Sequence, residues 1–306
     1  MNCDNPHRIL FERPNLEVLT QEYTVVDPHF HTHYSDGYNS VAAIVKKARE
    51  LNIGIAITDH NEIRGAVELD RHKKLLTIPG IEITSAEGTH ILVYFYDVKA
   101  MKSFYKNDLQ PYMGPDIMNS TSLEMEEIIE RARKFETVVV FPHPYSATFT
   151  GIHNSYFSEE RLNRLFKMVD GIEVINAENL NKWNLRSALL GFNLNIGVTG
   201  GSDGHRLAQM GKVVSYASCG KNRRAFLDAI RNNQTKVIGK EIDLIRKVTS
   251  NGVKLRNNIK NYPNMVEKNL KYSVTVINSK SKTFTNNVKR SLNGKFKERR
   301  KKVRMV

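Results

Sequence analysis

The 306-residue chain is 40% hydrophobic and 25% charged, the composition of a globular protein able to bury a sizeable core. Its longest apolar runs, such as Val138 to Phe141, fall far short of a membrane span, its start does not read as a signal peptide, and neither Cys3 nor Cys219 has a CxxC neighbour; a transmembrane segment, secretion and a disulfide framework are excluded as expectations, leaving a cytoplasmic protein. The net charge of +14 belongs to one end, because eighteen Lys and Arg face only Glu267 and Glu298 from Arg246 to Val306, and the body before them is close to neutral.

Residues 1–23 read as an N-terminal extension. From residue 24 short β-branched runs alternate with amphipathic stretches, the pattern of a parallel α/β architecture. Strands are expected at Thr24 to His29, Ile53 to Thr58, Leu75 to Ile83, His90 to Tyr96, Val138 to Phe141, Gly171 to Ile175, Asn195 to Thr199 and Val213 to Ala217. Helices are expected at Val41 to Leu51, Ser122 to Phe135, Glu159 to Lys167, Asn181 to Leu190 and Arg223 to Asn232, where apolar residues recur every three or four positions. In the first of these, Val41, Ile44, Val45 and Ala48 form one face and Ser40 can cap it. Residues 97–121, with Pro111, Gly114 and Pro115, read as an insertion or lid. The βα rhythm stops near residues 240–250, so a main domain over 24–245 is followed by a basic tail, 246–306.

The chemistry concentrates where strands end. Asp27-Pro28-His29-Phe30-His31-Thr32-His33-Tyr34-Ser35-Asp36-Gly37 follows the first strand. Positions i and i+2 of a strand share a face, so His29 and His31 can bind one cation. A bare HxH is weak, but the placement repeats. Asp59-His60, Glu82, His90, His143 and Asp203-Gly204-His205 each follow or flank an expected strand, and the last repeats the i, i+2 spacing. Barrel enzymes collect catalytic groups at such ends. His7, His33, His72 and His153 have no partner motif and read as ordinary surface or loop residues; Trp183 reads as a packing anchor.

These motifs resemble those of the PHP family, the polymerase and histidinol phosphatase domain of metal-dependent phosphoesterases. The family pattern of an HxHTxxSDG opening, a TDH, an isolated Glu, two single His and a final DxH is matched in order over roughly residues 24–240, with Pro28 where a Leu is usual. The resemblance implies a distorted seven-stranded βα barrel. It also implies that His29, His31, Glu82 and Asp203 hold one metal, and that Glu82 bridges to a second completed by His90 and His143. Asp36, His60 and His205 would hold a third or, with two metals, contact the substrate and leaving group as catalytic residues.

Two or three divalent cations against Asp36, Glu82 and Asp203 leave a site charge of about +1 to +3, which attracts phosphate. A metal-bound water with its pKa lowered to about 7 would supply hydroxide. Nitrogen and oxygen donors without thiolate suit Mn, Zn or Fe. Arg64, Arg206 and Tyr145 adjoin the motifs and could clamp a phosphate, although both arginines equally suit solvated helix starts. Asp59 reads as a partner of a ligand rather than a ligand. The expected activity is hydrolysis of a phosphate mono- or diester of a nucleotide or small metabolite, the alternative being a nuclease whose tail holds the polymer. The tail could also meet an anionic membrane surface or be a solvated extension.

Overall fold

The structure, a computed structural model, describes residues 8–146 and 148–241. The expectations for Cys3, His7 and the basic tail fall outside the described residues.

The chain enters through a two-residue strand, β1 (Ile9–Leu10), and a short helix, α1 (Leu16–Glu22). Next come β2 (Thr24–Asp27), α2 (Val41–Glu50), β3 (Gly54–Ile57), α3 (Arg64–Leu69) and β4 (Thr77–Thr84). In α2 the Ser40 hydroxyl accepts from the Ala43 amide at 3.3 Å, and Val41, Ile44, Val45 and Ala48 are buried together. Truncating Ile44 to Ala would cost about 3 kcal/mol, the usual range for a fully enclosed aliphatic. β2, β3 and β4 pair in parallel and are buried along their whole length, as strands covered on both faces are.

A purely parallel sheet does not continue. Only residues 85–89 join β4 to β5 (His90–Phe95), too few for a crossover helix, so the two strands pair antiparallel. Gly88 turns this hairpin at φ 83°, and a Cβ there would strike the Phe149 ring. After α4 (Val98–Phe104) and α5 (Met125–Ala132), β6 (Thr137–Phe141) also pairs antiparallel with β5. Parallel pairing resumes from β6 to β7 (Gly171–Asn176) and β8 (Gly197–Gly201), with α6 (Glu159–Met168) and α7 (Asn181–Leu194) as crossovers. The described part ends with β9 (Val213–Ala217), α8 (Arg223–Arg231) and β10 (Lys236–Gly239).

The seven-stranded expectation is therefore corrected to one mixed sheet of ten strands in the order β1-β10-β9-β2-β3-β4-β5-β6-β7-β8. It curls into a half-barrel. Where its last strand comes round to β9 and β10, side-chain hydroxyls take the place of a ladder: Gly200 N donates to Ser215 Oγ at 2.8 Å, and Thr235 Oγ1 donates to the Val198 carbonyl at 2.6 Å. β1 lies within the stretch read as an extension, yet it pairs with β10. The stretch expected as an insertion or lid begins with regular structure. Residues 98–104 form α4, a π-helical turn (Tyr105–Leu109) follows, and Met101, Phe104 and Leu109 are buried in the main core.

Candidate metal centre

Extensions of the strands carry the ligands. Beyond β2, Phe30 makes an isolated parallel bridge to Gly204 beyond β8, and beyond β3, His60 makes one to Glu82. His29 and His31 are fully buried on either side of Phe30, their ring centroids 5.2 Å apart. Gly201 permits this approach, since a Cβ there would lie 2.5 Å from that of His29. Three residues around the mouth, Asn61, His143 and Asp203, hold positive φ angles of 48°, 30° and 48°. Such conformations cost about 1–3 kcal/mol each and gather at functional sites.

All nine expected ligands converge. Glu82 is central: its Oε1 lies 2.9 Å from His90 Nδ1 and 3.3 Å from His143 Nε2. Its Oε2 lies 3.1 Å from His60 Nδ1, 3.4 Å from His31 Nε2 and 3.5 Å from His29 Nε2. Asp203 Oδ1 faces His31 Nε2 at 3.1 Å and His29 Nε2 at 3.4 Å. Asp36 Oδ2 stands 2.8 Å from His205 Nε2 and 3.8 Å from His60 Nε2, while its Oδ1 is 3.6 Å from His31 Nδ1. Three sets therefore offer donor atoms within 4.8 Å of one another: His31, Asp36, His60 and His205; His29, His31 and Asp203; His60, Glu82 and His90. His31 and His60 each belong to two sets, a sharing the sequence reading did not include.

The donor chemistry fits divalent cations. His29 Nδ1 donates to Glu173 Oε1 at 3.0 Å, which fixes the ring's orientation and turns Nε2 toward the cluster. His205 Nδ1 likewise donates to the Asp203 carbonyl at 2.8 Å. Five buried atoms here have no hydrogen-bond partner: His29 Nε2, His31 Nδ1, His60 Nδ1, Glu82 Oε2 and His143 Nδ1. Unpaired buried polar atoms cost about 1–3 kcal/mol each, and ligation would satisfy several at once. Among the described residues no Lys or Arg pairs with Asp36, Glu82 or Asp203; their partners are imidazoles.

Without ions, the imidazoles and carboxylates balance one another's charge, and a cation would displace the extra imidazole protons. Burial alone would raise the carboxyls of Asp36, Glu82 and Asp203, but the imidazoles outweigh it and hold all three well below the usual range. Burial also opposes charge on His29, and the carboxylates of Asp203, Glu173 and Glu82 outweigh it there, holding the ring well above its ordinary value. At His60 burial wins and pushes the ring down to about 3, so it stays a neutral donor.

Groups absent from the sequence-derived list support the ligands. Glu173, inside β7, accepts from His29, from the His143 amide at 2.9 Å and from Asn176 Nδ2 at 2.8 Å; the same amide group reaches Asp203 Oδ2 at 3.2 Å. Its signal was a lone acid in the otherwise apolar run Gly-Ile-Glu-Val-Ile. Asp27 accepts from Ser202 N at 3.0 Å and Oγ at 2.6 Å and from Gly211 N at 2.9 Å, fastening the end of β2 to the Asp203 loop. Burial lifts its carboxyl to about 6. Asp59 takes the expected supporting place, accepting from Thr32 N at 2.6 Å, Thr32 Oγ1 at 2.7 Å and Ser35 Oγ at 2.7 Å, which holds the loop that carries Asp36.

The three expected substrate contacts are engaged elsewhere. Arg64 is 62% exposed at its side chain and pairs with Glu62 at 2.7 Å, above the Tyr34 ring. Arg206 is exposed and lies over Tyr38. Tyr145 stacks on His153, centroids 4.3 Å apart. His153, expected as a surface or loop residue, lies in the loop before α6 and is partly buried there: its ring also meets Phe166 at 5.6 Å and its Nε2 is buried without a partner.

A family model of the PHP domain matches residues 27–206, and one of a PHP-associated region matches residues 181–235. The uncharacterized protein MJ1587 of Methanocaldococcus jannaschii is 29% identical over 166 residues, 49% of this chain and 81% of that one. The fold is similar to the lesion-specific endonuclease EndoQ of Pyrococcus furiosus, at a TM-score of 0.58 and 17% identity, over 70% of this chain and 57% of that one. It is also similar to PsfC of Pseudomonas syringae, at 0.56 and 19%, over 77% of this chain and 99% of that one. A two-domain protein of Bacteroides vulgatus containing a predicted PHP-like metal-dependent phosphoesterase matches at 0.53 and 19%, over 80% of this chain and 74% of that one.

Proposed function

Because the chain belongs to the PHP domain family of metal-dependent phosphoesterases, we propose that this hydrolase acts on a phosphate mono- or diester of a nucleotide or small metabolite, using two or three Mn, Zn or Fe ions. The observation that carries this reading is the convergence of eight histidine and carboxylate side chains, with His143 joined through Glu82, and five unpartnered buried atoms among them. His29, His31, Glu82 and Asp203 would hold one ion, and Glu82, His90 and His143 would supply donors for a second. Asp36, His60 and His205 would hold a third or, with two ions, face the leaving group. Cations bound there would polarise the phosphoryl oxygens and lower the pKa of bound water.

The chain's own groups do the positioning. Glu173 and the Asp203 carbonyl each hold one imidazole proton, fixing which nitrogen of His29 and His205 points inward. Asp59 keeps the Asp36 loop against the mouth. His60 stays neutral through burial and so keeps a lone pair for a cation, while Asp36 is held 2.8 Å from His205 Nε2.

A nuclease is the second reading, favoured by the +16 charge of residues 246–306. EndoQ, whose fold is similar, is an endonuclease. Among the described residues no helix is long and apolar enough to cross a membrane, and a cytoplasmic place remains part of the proposal. The test is a substrate panel of p-nitrophenyl phosphate, its bis-ester, AMP, histidinol phosphate and a short oligonucleotide, with the full chain and a chain ending at residue 245. Small-ester turnover that survives truncation supports the first reading. Oligonucleotide cleavage as the sole activity, lost with the tail, would replace it by the second.

A further inference from the structure

The opposite end of the strands holds a second cavity, of about 260 Å³. Residues at the starts of β2 and β3 and those leading into β4 line it: Thr24, Gly54, Leu75 and Leu76, with Tyr23 beside them. The metal ligands His29, His31 and His60 follow the other ends of β2 and β3, so the strands separate the two sites. Gly54 shapes the floor, since a Cβ there would press within 2.9 Å of the Leu76 side chain.

Its charge is one-sided. Arg49, Lys74 and Lys221 line the cavity and no Asp or Glu does. Neighbouring cations have carboxylate partners, Lys47 with Glu50 at 3.2 Å, and Lys73 at 2.7 Å and Arg223 sharing Asp70. Among the described residues no carboxylate pairs with any of the three in the cavity, although Lys221 donates to the Thr20 carbonyl at 3.2 Å, which draws its amine toward the wall. Three like charges round one small cleft repel one another, and an anion relieves that cost. The rest of the wall is mixed: Tyr23, Leu75 and Leu76 offer an aromatic and apolar face, and Thr20, Thr24 and Asn52 offer uncharged polar groups, which suits a ring that carries polar edges rather than a bare ion.

We propose that this cavity binds a mononucleotide, its phosphates held by Arg49, Lys74 and Lys221 and its base lying against Tyr23 and the two leucines. The site is independent of the metal centre. It gives the enzyme a nucleotide-binding position remote from the metal centre.

The test is photolabelling of the full chain with 8-azido-ATP, with labelled peptides mapped by mass spectrometry and affinities measured by calorimetry with ATP and pyrophosphate. The expected label falls on the peptides of Tyr23 or Leu75–Leu76 and is competed by ATP. In the triple variant R49A/K74A/K221A, ATP binds at least tenfold more weakly while p-nitrophenyl phosphate hydrolysis is unchanged. Label confined to the metal-centre peptides or to residues 246–306, or unchanged affinity in the triple variant, overturns the site. Pyrophosphate binding as tightly as ATP overturns the nucleotide.

Discussion

Among the described residues, two places bring three or more acids or histidines within reach of a single ion, and they satisfy their charge differently. Around Arg161 the carboxylates of Glu87, Glu124 and Glu126 converge, and the guanidinium already fills the middle, donating to Glu126 at 2.8 and 2.5 Å and to Glu87. One buried oxygen there, Glu87 Oε2, lacks a partner. At the mouth of the half-barrel five buried atoms lack partners, and the neighbours of the carboxylates are imidazoles whose other nitrogens are in part already committed. An acidic cluster alone therefore says little. Several unsatisfied buried polar atoms among clustered histidines and carboxylates distinguish a candidate metal centre from an arginine clamp.

The sharpest way to break the comparison is to change a ligand on each side. Asp203→Asn or His31→Ala should lower hydrolysis by about 10³-fold or more, as loss of a metal ligand does, with an unchanged far-ultraviolet circular dichroism spectrum; full activity in either variant contradicts the ligand assignment. Stripping divalent ions with a chelator should lower the melting temperature of the full chain by about 5–10 °C, because a cation at a hundred times its Kd adds about 2.7 kcal/mol to a domain of this size. Scanning calorimetry before and after reconstitution measures it.

Arg161→Met makes the converse change. It leaves Glu87 and Glu126 facing each other with little solvent, so stability should fall by about 2–3 kcal/mol in urea denaturation, while hydrolysis per folded molecule stays the same. A loss of activity there would mean that the arginine cluster belongs to the site after all.

How much of this was legible follows from how local each signal is. The HxH, TDH and DxH motifs could be read because each is a strand-end pair whose geometry comes from its own few residues. Glu173 and Asp27 could not, because what makes them important is contact across 144 and 175 positions. The antiparallel turn of β4 into β5 was hidden in a five-residue loop, and β1 and β10, of two and four residues, are too short for any period to register. In residues 97–121 the prolines and the glycine made the whole stretch look irregular, although all three lie beyond α4.

A smaller effect concerns an orphan nitrogen outside either cluster. Burial pushes His153 down to about 4, against about 6.5 in the unfolded chain. Between those values the unfolded chain binds the proton and the folded one does not, so stability is fully present above about pH 6.5 and declines as pH falls toward 4, by about 2 kcal/mol. His153→Phe should flatten the stability curve in that window. A curve unchanged from the parent would show that the ring is not buried as described.

The most direct test of the metal centre is elemental analysis of the full chain after reconstitution with Mn, Zn or Fe. Two or three ions per chain, with fewer in Asp203→Asn and an unchanged number in Arg161→Met, are the predicted result. No retained metal in the parent protein, or equal loss in both variants, would contradict it.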